Sequence, residues 1–310
     1  MSGGSLNWSP RKLPRCPHLL QVASTRRPLS VPIVSGPSPV GVFHLMASLS
    51  SGHPKDTLAQ DAKAGPVRCC LVETGPAGYI CRMCNLYSMT RSREAILRLF
   101  RIAANRAGEI RPQSSIFPAY TAPVVRRAHD GERELVPMWW GFVLLQPGKA
   151  PRRVTNVRDD KVLTSKFWRP SFEQRRCLVP ASSYCEPDSN KPAGWHWFAL
   201  NGDVSRPLFA FPGIWQRWKG PVKKDGAAVD IETYSFLTTA PNDLTRSINH
   251  ERMPVLLSCE AQFETWLSGS PSEAFALVNS FDPARMRIVQ SGKDKEDLLG
   301  RMAVVEQSKF

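Results

Sequence analysis

No run of apolar residues in this 310-residue chain is long enough to cross a bilayer as a helix, which takes roughly 20 in succession. No signal-peptide pattern is present, and the eight cysteines have no regular spacing, so they read as reduced thiols rather than a disulfide framework. That points to a cytoplasmic protein, nucleoid-associated if bacterial. The chain holds one C-x-x-C, Cys81 to Cys84, and no second to complete a zinc site, so neither metal nor organic cofactor is expected. Acidic residues are scarce: 27 Asp and Glu against 41 Lys and Arg leave a formal charge of +14. Such a balance calls for a polyanionic partner, a nucleic acid or an anionic membrane surface.

What is present divides the chain in two. Residues 1–82 are dense in Pro, Gly and Ser without helical or strand periodicity, as in Pro32 to Pro39. They are expected to be disordered, as a targeting segment, a regulatory tail or a translated region upstream of the true start. Residues 83–310 hold the greater share of the net charge and enough apolar residues for a core. They form the candidate domain.

At its head stands Met83-Cys84-Asn85-Leu86-Tyr87. If translation begins at Met83 and the methionine is trimmed, Cys84 becomes the first residue and carries two nucleophiles. Its α-amine would titrate at about 7.7, against about 10.4 for lysine, and so be partly neutral near pH 7. Such an amine forms imines with aldehydes quickly, and the thiol of the same residue can close a five-membered thiazolidine. The plain alternative is a buried structural cysteine.

Further along, Thr90 is expected to cap an amphipathic helix with Ile96, Leu97, Phe100, Ala103 and Ala104 on one face. Residues 121–127 and 134–143 read as strands joined through Asp130-Gly131. Neighbouring strand residues face opposite ways, so at most one of Trp139 and Trp140 is simply core; the other is a candidate for stacking on an unpaired base. Residues 178–186 read as one strand ending at Glu186, a carboxylate suited to proton shuttling if its surround is apolar. Strands are also expected at 195–200 and 207–215, supplying most of a barrel core, and at 231–239. Residues 216–230 read as an exposed loop. A short helix opening at Pro241-Asn242 delivers His250, a natural proton carrier at neutral pH, or else a structural histidine. The tail after Ser291 reads as peripheral.

Met83-Cys84, Met138-Trp139-Trp140-Gly141-Phe142, Thr155-Asn156-Val157-Arg158, Arg176 to Glu186 and Asn249-His250-Glu251-Arg252-Met253-Pro254-Val255 occur in this order. Together they resemble the SRAP family, the SOS response-associated peptidases or abasic-site processing proteins. The resemblance implies an α+β fold, a twisted, mainly antiparallel sheet forming a barrel-like core with flanking helices. It implies a DNA-damage function in which Cys84 forms a covalent thiazolidine cross-link with abasic sites in single-stranded DNA, with peptidase (hydrolase) and lyase-type activities attached to the family. The catalytic residues it implies are Cys84, Asn156, Glu186 and His250. For DNA binding it implies Trp139, Trp140, Arg158, Arg252, Pro118, Tyr120 and Phe167, with no metal. The expected partner is single-stranded DNA containing abasic sites, extending to single-strand/duplex junctions, bound by a monomer away from membranes. Two rivals stay open: a cysteine peptidase or self-processing peptidase using Cys84 and His250, and a non-catalytic single-strand-binding module.

Overall fold

The structure is a computed structural model and describes residues 84–202, 204 and 206–298. The expectations for residues 1–82, and for Cys81 as partner to Cys84, lie outside the described residues. In chain order the elements are β1 (Tyr87–Met89), α1 (Arg93–Leu99), β2 (Ala104–Asn105), β3 (Gln113–Ile116), β4 (Thr121–Arg127) and β5 (Arg133–Trp140). There follow β6 (Phe142–Leu144), β7 (Arg152–Val154), β8 (Asn156–Arg158), α2 (Asp159–Val162), α3 (Arg169–Gln174), β9 (Arg176–Ala181) and β10 (Ser183–Pro187). The remainder is β11 (Trp195–Leu200), β12 (Phe209–Pro221), β13 (Ala228–Thr239), α4 (Asp243–Arg246), β14 (Met253–Pro254), α5 (Glu260–Ser268), α6 (Pro271–Ala276) and β15 (Met286–Gly292). No helix among the described residues is long and apolar enough to cross a membrane.

Five strands close into a barrel in the order β13-β12-β9-β4-β5. Four of its seams are antiparallel, and the fifth, between β5 and β13, is parallel with Thr233 opposite Trp139 and Tyr234 opposite Trp140. Closure leaves the barrel without an open edge. At the end of β5, Gly141 takes φ +112° and donates to the Tyr234 carbonyl at 2.7 Å. A side chain there would strike Arg153, so the turn from β5 into β6 needs glycine. The second sheet, in the order β15-β11-β10-β1-β3, is antiparallel throughout. Tyr87 joins the two sheets: its ring meets Trp140, Phe211 and Phe236 edge-on, and its hydroxyl lies 2.6 Å from that of Tyr234. This is the α+β, mainly antiparallel barrel that the sequence predicts.

Several local expectations are corrected. Helix α1 is shorter than its apolar period suggests and is capped by Ser92, which accepts from the Ala95 amide; the Thr90 hydroxyl lies 3.0 Å from that of Ser182 instead. Arg101, at φ +49°, follows the helix, and Ala104 enters β2. Residues 178–186 are two strands, because the chain changes sheet at Ser182, whose amide donates to the Ser88 carbonyl at 2.9 Å. Residues 216–230 lie mostly in a long hairpin of β12 and β13, paired out to Pro221 opposite Ala228. Its cross-strand partners there are charged, as in Arg217 to Asp230 at 2.6 Å, so a solvated ribbon reads as a loop. Strand β11 belongs to the second sheet rather than the barrel. The C-terminal stretch is not peripheral: Asp297 is fully buried, paired in two hydrogen bonds with Arg206 at 2.7 Å each and accepting from Ser183 at 2.6 Å. Cys84, Cys177 and Cys185 are buried free thiols.

Candidate active site

Four elements bring their ends to Cys84. The residue enters β1, and β1 pairs with β10 through Tyr87 opposite Tyr184. Side chains alternate along a strand, so Glu186 shares the face of Tyr184 and lies beside the Cys84 thiol, which itself donates to the Leu86 carbonyl at 3.7 Å. From the barrel side, β8 pairs with β13 and sets Asn156 opposite Phe236. The Asn156 amide donates to the Cys84 carbonyl at 2.7 Å and to the Thr155 hydroxyl at 3.1 Å; Thr155 in turn donates to the Asn85 side chain at 2.9 Å. Helix α4, capped by Asn242, leads to Asn249 at φ +57°, and this left-handed turn, tolerated by asparagine, sends His250 inward.

His250 is oriented by its own loop. Its Nδ1 donates to the Arg252 carbonyl at 2.6 Å, leaving Nε2 3.3 Å from Glu186 Oε2. That is ion-pair distance without hydrogen-bond alignment. Both side chains have almost no solvent exposure, at 3% and 1%. Burial pushes the Glu186 carboxyl well above the usual carboxylate range, and the neighbouring Cys84 thiol only partly opposes it. Burial, reinforced by the negative charge of Glu186, also pushes the Cys84 thiol up. A buried carboxyl facing a buried imidazole nitrogen is stable when one proton serves both. The pair can therefore take up and return a proton, and the resting sulfur is a thiol.

The tryptophans divide. Trp140 has no accessible surface, stacks on Phe236, and donates from its indole to the Thr155 carbonyl at 3.1 Å. The expectation that it contacts DNA is corrected: it is a core residue that steadies the strand bearing Asn156. Trp139 is half-buried, with the Arg153 guanidinium 5.4 Å from its ring centre. Arg153 also donates to the Trp140 carbonyl at 3.3 Å. Arg153 and Thr155 are site residues that single-residue reasoning on the sequence missed; alternation along β7 and β8 was the available signal.

The other candidates lie farther from the chemistry. Phe117 to Tyr120 make a tight turn with Ala119 at φ +75°, whose amide donates to the Trp140 carbonyl at 3.0 Å. This leaves Pro118 half-buried and Tyr120 45% exposed, its ring edge-on to that of Phe117 with centres 5.7 Å apart. Phe167 packs on Trp168 and Phe142 with ring centres 4.5 and 6.0 Å away, which makes it chiefly a packing residue. Arg158 is exposed and forks onto Asp160 at 2.9 and 3.0 Å. Arg252 is turned inward to Asp159 and the Thr238 carbonyl, each at 2.6 Å. Asp159 loses some ionisation to burial, but the bonds from Arg252 and Thr239 outweigh that and hold its carboxyl below the usual range. Arg252 thus supports the His250 loop through an internal ion pair before it can serve a phosphate.

Among proteins of known sequence, two from Bacillus subtilis (strain 168) are similar. The abasic site processing proteins YoqW and YobE are each 25% identical over 224 residues, covering 67% of this chain and 92% and 94% of theirs. Crystal structures of a Bordetella bronchiseptica protein and a Bacteroides thetaiotaomicron protein share the fold. Their TM-scores are 0.52 and 0.53 at 20% and 22% identity, covering 67% of this chain and 98% and 90% of theirs. The SOS response associated peptidase (SRAP) family model matches residues 83–294, spanning both sheets and every residue around Cys84, and the chain belongs to that family.

Proposed function

We propose that residues 83–310 form a domain that captures abasic sites in single-stranded DNA through Cys84 as a free first residue. The observation that carries this reading is the convergence of Asn156, Glu186 and His250 on Cys84 from three other segments of the chain. The relatives named as abasic site processing proteins supply the substrate class. In the reaction, the α-amine attacks C1′ of the opened sugar; the carbinolamine loses water to an imine; the thiol then adds across the C=N bond, sulfur to carbon and its proton to nitrogen. Amine, thiol and aldehyde thus give one thiazolidine and one water. Asn156 holds the Cys84 carbonyl, and its buried Oδ1, which has no hydrogen-bond partner, accepts from the amine. Glu186 and His250 carry the protons that ring opening and dehydration require. Trp139 and Tyr120 stack on flanking bases and Arg158 meets phosphate.

The peptidase alternative uses Cys84 as nucleophile on a peptide carbonyl with His250 as base. One peptidase step fits the same residues: removal of the segment before Cys84 by the protein itself. It predicts that Cys84→Ala keeps its full length where wild type is shortened; identical intact masses for the two would exclude it.

The main test mixes protein whose first residue is Cys84 with an abasic oligonucleotide. An adduct that survives denaturation without borohydride is expected, and acetylation of the α-amine abolishes it. An adduct unaffected by acetylation would sink the reading, and binding without any adduct would leave a plain single-strand-binding module.

A further inference from the structure

Apart from Gln113 Oε1, the buried side-chain oxygens without a hydrogen-bond partner among the described residues gather in one place. They are Asn156 Oδ1, both oxygens of Glu186, the Tyr184 phenol and the Thr245 hydroxyl. Folded proteins rarely leave such atoms unmatched, because each gives up its water without replacement. Asn156 and Glu186 belong to the site already described. Tyr184 and Thr245 do not.

Their position is set by the backbone. Tyr184 precedes Glu186 by two residues in β10 and so points to the same face; its ring stacks on Phe198 with centres 5.0 Å apart, fixing where the phenol ends. Thr245 lies in α4, and its carbonyl accepts from the His250 amide at 3.4 Å, so the helix turn bearing its hydroxyl also carries the histidine. The two hydroxyls lie side by side without closing a well-formed hydrogen bond, one on the strand of the acid and one on the helix that leads to the base. Both residues are fully buried.

We propose that Tyr184 and Thr245 form a subsite for the hydroxyl that the sugar gains when it opens, which makes the site selective for 4-hydroxy aldehydes over aldehydes lacking that group. The inference rests on the reading of Cys84 given above. In the closed sugar, O4′ is an ether oxygen that can only accept. When the C1′–O4′ bond breaks, O4′ takes a proton and the C1′ hydroxyl gives one up, so an aldehyde and a C4′ hydroxyl appear together. A phenol donating to O4′ and a threonine hydroxyl accepting from it match the product better than the ring. Burial and the negative charge of Glu186 hold the Tyr184 phenol well above its ordinary range, so it stays a donor throughout the working pH. Tyr184 and Thr245 thus bind the substrate, while Glu186 and His250 move its protons.

The test uses protein purified from cells expressing the full chain and two oligonucleotides, one with an abasic site and one with a butanal linker at the same position. Tyr184→Phe and Thr245→Val are each expected to lower the rate of adduct formation on the abasic strand about tenfold relative to the linker strand, the usual scale for one lost hydrogen bond to a buried group. Thr245→Ser, which keeps the hydroxyl, restores the wild-type ratio. Equal losses on both strands, or none on either, with unfolding midpoints unchanged, overturn the subsite and leave the Cys84 reading standing. Failure of wild type to capture either strand would instead remove the Cys84 reading, and the subsite with it.

Discussion

The Nε2 of His250 faces Glu186 Oε2 at 3.3 Å because its Nδ1 is tied to the Arg252 carbonyl. That tie decides which nitrogen exchanges a proton with the acid, and it comes from the loop's own backbone. Replacing either partner, as Glu186→Gln or His250→Ala, is expected to slow adduct formation about 10²–10⁴-fold, the range for loss of a positioned acid or base. Because the two act as one unit, the double variant should be little slower than the worse single variant. Rates from a single-turnover gel assay that multiply across the two changes would show independent roles.

Glu186 also makes stability depend on pH. Its folded carboxyl is raised above its unfolded value of about 4.3, so between that pH and its folded titration the native state binds more protons than the unfolded state. Stability is therefore complete below about 4.3 and falls as pH rises through the folded value. Glu186→Gln should flatten that decline in urea unfolding midpoints measured across pH. A decline equally steep in both proteins would place its origin elsewhere.

Asn156→Ala removes the donor to the Cys84 carbonyl. A buried carbonyl left without its partner costs about 1–3 kcal/mol, and misplacement of the attacking residue by an ångström can cost about 100-fold in rate. Denaturant melts and adduct rates should both move. A rate loss far exceeding the stability loss marks the asparagine as a positioning group rather than a brace.

Trp139 and Trp140 should behave oppositely. Trp139→Ala is expected to weaken single-stranded DNA binding by about 1–3 kcal/mol with little effect on folding, whereas Trp140→Ala should destabilise the protein by about 3–5 kcal/mol. Fluorescence-anisotropy titrations and thermal melts separate the two. Unchanged binding in Trp139→Ala would remove it from the DNA surface.

Asp297→Ala leaves Arg206 buried without its carboxylate and takes an acceptor from Ser183, three residues before Glu186. Breaking a buried pair in this way costs about 3–5 kcal/mol, read from chemical denaturation. A loss under about 1 kcal/mol would show the pair to be solvated in practice.

How much of this was legible in the chain varies with the range of the interaction. The strand over 121–127, the turn at Gly131 and the short helix opening at Pro241-Asn242 depend on neighbouring residues and were readable. The hairpin through 216–230 was not, because its strands are paired by charges that read as solvent-exposed loop. Nor was the change of sheet at Ser182, which depends on Ser88 far earlier in the chain.

Residue chemistry and order alone determined the cast: a cysteine after a methionine, an amide, a carboxyl and an imidazole, with an excess of positive charge. Only the tertiary structure decided which tryptophan is core, that Arg252 turns inward, that Asp297 is an anchor, and that Tyr184 and Thr245 stand beside the acid and base. The physical reason is that chemical identity is local, whereas burial and hydrogen-bond partnership are set by strands that meet only when the barrel closes and β1 pairs with β10.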